Sequence, residues 1–383
     1  MKPIKVGLLL HFYQPWWQFS DVLAKIADQC YRPIFRWLAG RRGFAFSANI
    51  SWSLIELLHQ YGHDDVIALM SDAVRHEKVE LFGTAAHHPI MPLISAREWL
   101  RQIARDRAGK TPFGLPGNTC NGFYLPEYAW NRQLAAPLRA AGFDFTVADD
   151  LLFSALHDRV PFDRIPQVDG LSVFLRSRLW GDKIAWGQHD FDRFAAQFVP
   201  DTLDWFGGRN GYVVLATDAE TFGHHHARHF DWLLKPMIEQ WADPATPVEI
   251  VPFSRLMQLF GPGSEDMEVP PGSWSTDLKD FLAGNYYPLW KSPRNVYHQA
   301  LWRLVSIVRP LGGLPEAADD VMKMLASCCW WQVSGRPNFN PGLMMIGARK
   351  ALEIARGFGS DEARQKASAA FERLARLPGM ERY

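Results

Sequence analysis

Tyr212-Val213-Val214-Leu215-Ala216-Thr217-Asp218-Ala219-Glu220-Thr221-Phe222-Gly223-His224-His225-His226 changes character at Thr217. Its first half is a short apolar, β-branched run of the kind a fully buried strand needs. Its second half turns at once to two carboxylates, a glycine and three histidines. A buried parallel strand that ends in ionisable groups is how an α/β barrel builds a reactive rim. Taken alone, the stretch fits equally well a strand end that carries surface polar residues. The neighbouring segments decide between the two.

Similar runs recur at Ile4–Leu10, Gly43–Ala48, Val79–Gly83, Gly122–Leu125, Phe143–Ala148, Leu171–Leu175 and Val248–Val251. The segments between them carry helical spacing: Trp52, Ile55 and Leu58 fall on one face, as do Trp99 with Ile103 and Leu134 with Leu138. Strands alternating with helices predict a parallel sheet, and seven or eight repeats predict a closed or nearly closed barrel. No glycine-rich phosphate loop follows the first strand, which argues against a nucleotide-binding doubly wound sheet.

Polar groups follow seven of these eight runs within a few residues. His11 and Gln14 follow the first, Asn49 the second, His87 and His88 the third, and Glu127 the fourth. Asp149 and Asp150 follow the fifth, Arg176 the sixth, and Asp218 and Glu220 the seventh. In a parallel barrel all of these converge on one rim.

From Pro252 to Pro271 the pattern lapses into proline, glycine and acidic residues, and beyond it the spacing is helical. Tyr297, Leu301, Leu304 and Val308 form one stripe, and Met345, Ala348, Leu352 and Ala355 another. Pro293, Pro315 and Pro341 stand where helices start. The expected organisation is a barrel over residues 1–262 and a helical subdomain of three or four helices over 263–383.

With 41 basic against 41 acidic residues, no broad field favours nucleic acid or an anionic membrane. The apolar run Val6–Leu10 is too short for a signal-peptide core or a membrane span, and the cytoplasm is the expected location. Cys30, Cys120, Cys328 and Cys329 make no zinc-finger spacing. No cofactor is expected, and the sequence leaves the oligomeric state open.

Glu127 follows an apolar strand among aromatic residues, a setting that raises a carboxyl pKa unless donors or a cation compensate. Asp218 ends a strand three elements later. Two carboxylates facing one pocket are the minimum kit for cleaving a glycosidic bond. The bland alternative makes Glu127 a neighbour of a helix start and Asp218 an acceptor for backbone N–H groups.

In order along the chain, His11-Phe12-Tyr13-Gln14-Pro15, His87-His88-Pro89-Ile90-Met91-Pro92, Leu125-Pro126-Glu127, Asp218-Ala219-Glu220-Thr221-Phe222-Gly223 and Cys328-Cys329-Trp330-Trp331 resemble the motifs of glycoside hydrolase family 57. Pro271–Ser275 and Asn295–His298 resemble the region that joins barrel to helices in that family. The resemblance implies an α/β fold, an incomplete (β/α)7 TIM-like barrel followed by a helical subdomain. It also implies action on α-glucans with retention, as an α-amylase, a 4-α-glucanotransferase or a branching enzyme. The nucleophile falls on Glu127 and the acid/base on Asp218. His11, Gln14, His88 and Trp274 are expected to meet the sugar, with Trp330 or Trp331 as an aromatic wall. Ala219 stands where the family commonly has glycine, and a methyl there would reshape the backbone if the position needs φ > 0.

Asp149 and Arg176 are candidate hydroxyl binders, with a rim ion pair as the alternative. Glu220, two residues from Asp218, faces the same side of an extended segment and could be the acid instead, but it is expected to orient a neighbour. His224, His225, His226 and His229 have the i, i+3 or i, i+4 spacing of metal ligands, although a solvated helix start explains them too, and His224 is also a candidate sugar contact. Two rivals remain at this level. One is a metal-dependent polysaccharide deacetylase using His11, Asp218 and a later histidine. The other is a sugar-binding relative whose catalytic pair has lapsed.

Overall fold

The computed structural model describes residues 3–157, 159–187 and 189–379, the side chains of 263–265 excepted. Ten strands form one sheet: β1 (Ile4–Phe12), β2 (Phe46–Ile50), β3 (Val79–Phe82), β4 (Gly122–Phe123), β5 (Phe145–Asp149), β6 (Ile165–Val168), β7 (Leu171–Arg176), β8 (Tyr212–Asp218), β9 (Val248–Ile250) and β10 (Pro262–Asp266). β1 pairs in parallel with β8 on one side and with β2 on the other. β2 pairs with β3, a bridge from Gly83 to Phe123 carries the ring to β4, and β4 pairs with β5, β5 with β7 and β7 with β8, all parallel. Seven strands therefore go round a nearly closed barrel. The β7–β8 join is thin, with one paired position at Arg176 and Val214.

Each expected run appears within a few residues of its strand. β9 sits outside the ring, pairing with Ile4–Val6 at the opposite end of β1 from the rim. The sequence reading did not include β6. It runs antiparallel to β7, joined by Asp169-Gly170, both with positive φ (47° and 78°). That Asp-Gly pair is the signal of a two-residue hairpin turn, in which both central residues need left-handed backbone. The stretch expected as a plain boundary is also ordered. Phe253–Phe260 is a helix, and β10 pairs with β6 across the expected 262/263 division.

The two ends of the barrel differ. Phe253 and Leu256 plug one end, packed with Phe82, Phe145, Phe174 and Val214. Glu80, buried, receives the Phe253 and Ser254 backbone N–H groups (2.8 and 3.1 Å) and so anchors the plug helix by its otherwise unsatisfied donors. The opposite end, where the strands finish, is open.

After residue 271 the described residues form the helices Leu278–Leu282, Val296–Val308, Pro315–Met324, Cys328–Trp331, Pro341–Phe358 and Asp361–Ala375. These are six where three or four were expected, because two of them are only four or five residues long and leave no periodic stripe in the sequence. Both expected apolar stripes are used: Leu301, Leu304 and Val308 from the first, and Met345, Ala348 and Leu352 from the second, are buried in one cluster with Phe123, Leu125, Trp130 and Val173 of the barrel. At about 1.5–3 kcal/mol for each large apolar side chain buried, this shared core fixes the helices against the Glu127 side of the barrel. No helix among the described residues is long and apolar enough to cross a membrane.

Candidate active site

The register of β2, β1 and β8 puts Asn49, His11 and Asp218 side by side at the open end. His11 Nδ1 lies 2.8 Å from Asn49 Oδ1, and its ring stacks on Tyr124 (4.6 Å between centroids) and His88 (4.8 Å). Tyr13 stacks on His88 at 4.1 Å and on His11 at 5.7 Å, so the four flat rings form one nearly parallel cluster. Burial pulls the His11 pKa down against the pull of Asp218 and Asn49. It holds His88 well below the ordinary range, with His11 adding to the shift. Neutral imidazoles fill this wall at pH 7.

Glu127 sits in the short turn Pro126–Tyr128 after β4, in left-handed backbone (φ 61°, ψ 18°), and Tyr128 has φ 50°. Such conformations cost about 1–3 kcal/mol each and persist only where the surroundings enforce them. Here the enforcement is visible. Trp130 and Gly272 exchange backbone hydrogen bonds of 2.8 and 3.1 Å, and Trp274 N–H donates to the Glu127 carbonyl at 3.2 Å. The same loop delivers the Trp274 indole, whose Nε1–H donates to Glu127 Oε2 at 2.6 Å. Arg178 holds the loop by donating to the Ser273 and Thr276 carbonyls.

The helical region supplies the other partner. Ser327 is tied to the loop after β3 by its N–H on the His88 carbonyl (3.0 Å), and its hydroxyl donates to Glu127 Oε1 at 3.1 Å. His88 Nδ1 lies 2.9 Å from that hydroxyl and 3.6 Å from Glu127 Oε1. Since the hydroxyl proton goes to the carboxylate, His88 carries its own proton on Nδ1. Burial is the largest influence on Glu127 and pushes its carboxyl up to about 7. Trp274 opposes that shift, the charge of Asp218 adds to it, and Ser327 opposes it more weakly.

Asp218 contrasts with Glu127. It is the one exposed residue of β8, it opens onto the same cavity as Glu127, and no side-chain hydrogen bond among the described residues fixes its carboxylate. Ala219 is fully buried, accepts from Cys30 Sγ at 3.0 Å, and is not among the residues with positive φ. The backbone there does not need glycine, so the methyl group costs no strain. Gly223 is different: its φ is +126°, and a Cβ would stand 1.9 Å from the Gln29 carbonyl oxygen.

Glu220 is buried beneath the rim, where it accepts from Gln14 Nε2 (2.9 Å) and the Tyr31 hydroxyl. Burial, then the charge of Asp218, lifts its carboxyl to about 8. Arg176 reaches the cavity with its guanidinium 4.9 Å from the Tyr128 ring, and Asp149 accepts from Arg176 Nε (2.9 Å) and Arg178 Nε (2.8 Å).

Together these groups surround a cavity of about 420 Å³. Of the expected site residues, Glu127, Asp218, His11, Gln14, His88, Arg176, Glu220, Trp274 and Trp331 line it. Three do not. Trp330 is fully buried and stacked on Trp302 at 4.3 Å, because adjacent residues of a helix cannot face the same side. Asp149 is occupied by two arginines at the strand ends, the ion-pair alternative. His224 turns away to Gln29 (Nδ1 to Oε1 2.9 Å), and His225 faces the cavity in its place.

The sequence reading missed Tyr13, Cys328, Ser327 and Tyr31. Tyr13 lies two residues after His11 and so shares its side of an extended segment, a signal that was available. Ser327 had none. The ligand set of the metal-dependent alternative does not assemble: among the described residues no group of three or more His, Cys, Asp or Glu is arranged to hold an ion.

Comparison with known proteins fits this arrangement. An α-amylase of Pyrococcus abyssi is 29% identical over 146 residues, 38% of this chain and 21% of that protein. A 4-α-glucanotransferase of Thermococcus kodakarensis is 24% identical over 144 residues, with 38% and 21% covered. The match thus spans about a fifth of the length of these relatives. The crystal structure of a 4-α-glucanotransferase from Thermococcus litoralis superposes with a TM-score of 0.71 at 18% identity, covering 93% of this chain and 60% of that one. A branching enzyme from Pyrococcus horikoshii gives 0.69 at 16%, covering 97% and 95%. At such identities the likeness carries the fold alone. The model of glycosyl hydrolase family 57 matches residues 10–265, well over half the chain and with both carboxylates inside it, and the chain belongs to that family.

Proposed function

We propose that the chain is a retaining glycosidase or transglycosidase acting on α-1,4-glucan. The observation that carries this reading is the pair of carboxylates, one from the turn after β4 and one from the end of β8, opening onto one sugar-sized cavity. The named relatives act as α-amylase and 4-α-glucanotransferase, which supports an α-glucan as substrate.

Glu127 is the nucleophile in this reading. Trp274 and Ser327 donate to its two oxygens, so they favour the ionised form and hold it in one orientation. Asp218, protonated, gives its proton to the leaving glycosidic oxygen as Glu127 bonds to the anomeric carbon. It then takes a proton from water or from a sugar hydroxyl as the glycosyl ester is released. Retention requires the two carboxyl groups to stand about 5–5.5 Å apart. His11, His88 and Tyr13 form the flat wall against the sugar held by Glu127, and Trp331 faces them from the helical region.

Incubation with maltoheptaose and with amylose, with products resolved by size and their anomers followed by NMR, tests the reading. Shorter or redistributed chains released as the α-anomer are expected. Intact substrate in both cases, or release of the β-anomer, would overturn it.

A further inference from the structure

The cavity does not stop at Asp218. Asp182 and Trp186 line it and also line a second groove of about 570 Å³ between the helices Leu151–Leu156 and Arg178–Ala185. Trp186 is 67% exposed, the most open tryptophan among the described residues, and Leu179 beside it is 60% exposed. Packing explains neither. Contiguous exposed apolar surface rimmed by polar groups marks a place where something binds. Here the rim is Asp150, Ser154, Arg178 and Asp182. Flat apolar faces alternating with hydrogen-bonding groups match a chain of pyranose rings, which presents C–H faces and hydroxyl edges.

The side on which the groove opens gives it a role. Helix Arg178–Ala185 packs against β8 so closely that a Cβ on Gly181 would stand 3.1 Å from the Ala216 carbonyl oxygen. The groove therefore begins beside the strand that ends in Asp218, and neither Ser327 nor His88 is among the residues that line it. In a retaining reaction the acid/base works on the side of the leaving group, and the acceptor enters on that same side.

We propose that the groove over Trp186 binds the leaving α-glucan chain and then the acceptor chain, so that the enzyme favours transfer over hydrolysis; this rests on the function proposed above. In the first half-reaction the C1–O4 bond breaks, O4 takes the Asp218 proton, and C1 bonds to Glu127. In the second, a hydroxyl of a glucan lying along the groove gives its proton to Asp218 and bonds to C1, and the Glu127 ester breaks. A chain stacked on Trp186 keeps that hydroxyl in place of water.

The test uses the full chain carrying Glu127→Gln, so that ligand survives, with and without Trp186→Ala or Trp186→Phe. Calorimetric titration should show Trp186→Ala weakening maltoheptaose about tenfold and maltose by less than about twofold, because only the longer chain reaches the groove, with Trp186→Phe restoring most of the loss. Unchanged maltoheptaose affinity, or an equal loss for both sugars, overturns the groove. In the otherwise unaltered enzyme, Trp186→Ala should also lower the ratio of transfer to hydrolysis on maltoheptaose by about fivefold or more. A parent enzyme that cleaves maltoheptaose while this ratio stays fixed in the variant sinks the acceptor role alone. A parent that cleaves nothing sinks the underlying glycosidase reading, and the titration still judges the groove.

Discussion

Glu127 and Asp218 open onto one cavity but are held in opposite ways. Glu127 lies on strained left-handed backbone, 19% exposed at its side chain, with a donor on each oxygen. One donor comes from the joining loop and the other from the helical region. Asp218 belongs wholly to the barrel and is exposed. A group that must attack carbon along one line gains from being fixed and shielded. A group that must give up a proton and recover one within a turnover gains from contact with water. The helical region, on this comparison, completes the setting of Glu127 and leaves Asp218 alone, which fits the proposed roles of nucleophile and acid/base.

The sharpest way to break the comparison is to exchange the roles chemically. Glu127→Gln should lower turnover on the order of 10⁴-fold or more, with circular dichroism and melting showing the fold intact. With azide present, Glu127→Ala should yield the inverted β-glycosyl azide and Asp218→Ala the retained α-azide. The reverse pairing would make Asp218 the nucleophile.

The next effect is smaller and selective. Asp218→Asn should cost about 10²–10⁴-fold on maltoheptaose, whose leaving oxygen needs a proton, and far less on an aryl maltoside, whose phenolate leaves unaided. Equal losses on both substrates would remove the acid role.

The residues behind these two experiments were legible because each is the first polar group after a buried run. Where a strand ends is a local property of the sequence; what crosses the rim to meet it is not. Nothing near Ser327 signals that the Pro89–Ala326 bridge sets it on Glu127. Choosing Trp331 over Trp330 required the helix phase, which a four-residue helix between turns does not reveal. Trp186 was invisible for a related reason, since exposure is decided by packing and not by spacing. Asp169-Gly170 is another case: its hairpin signal is local, and the strand–helix alternation on either side masks it.

The hold of the joining loop and the helical region on Glu127 gives a third effect. Attack requires the ionised carboxylate, so the acidic limb of the kcat/KM profile of the free enzyme should lie near 7, where burial has pushed this group. Both donors pull the other way. Removing the larger one with Trp274→Phe should move the limb to higher pH, and Ser327→Ala should move it in the same direction by less. A limb that stays put in both variants would mean that neither the joining loop nor the helical region tunes Glu127.

The smallest effect reads the same burial through stability, at Glu220. Its carboxyl titrates near 4.5 in the unfolded chain and at about 8 when folded. Between those values the unfolded chain holds fewer protons, so stability falls as pH rises from about 4.5 to about 8, and above that range the whole cost is present. Glu220→Gln removes the charge while its carbonyl still accepts from Gln14 Nε2 and the Tyr31 hydroxyl. The new NH2 group cannot accept, so part of the gain is lost. A net gain of about 1–2 kcal/mol, or a melting temperature higher by about 2 °C, is expected at pH 9 and none at pH 4. The readout is the dependence on pH rather than the sign at one pH. A difference between variant and parent that is the same at both would show that Glu220 is not held protonated, and that Asp218 has no neutral neighbour beneath it.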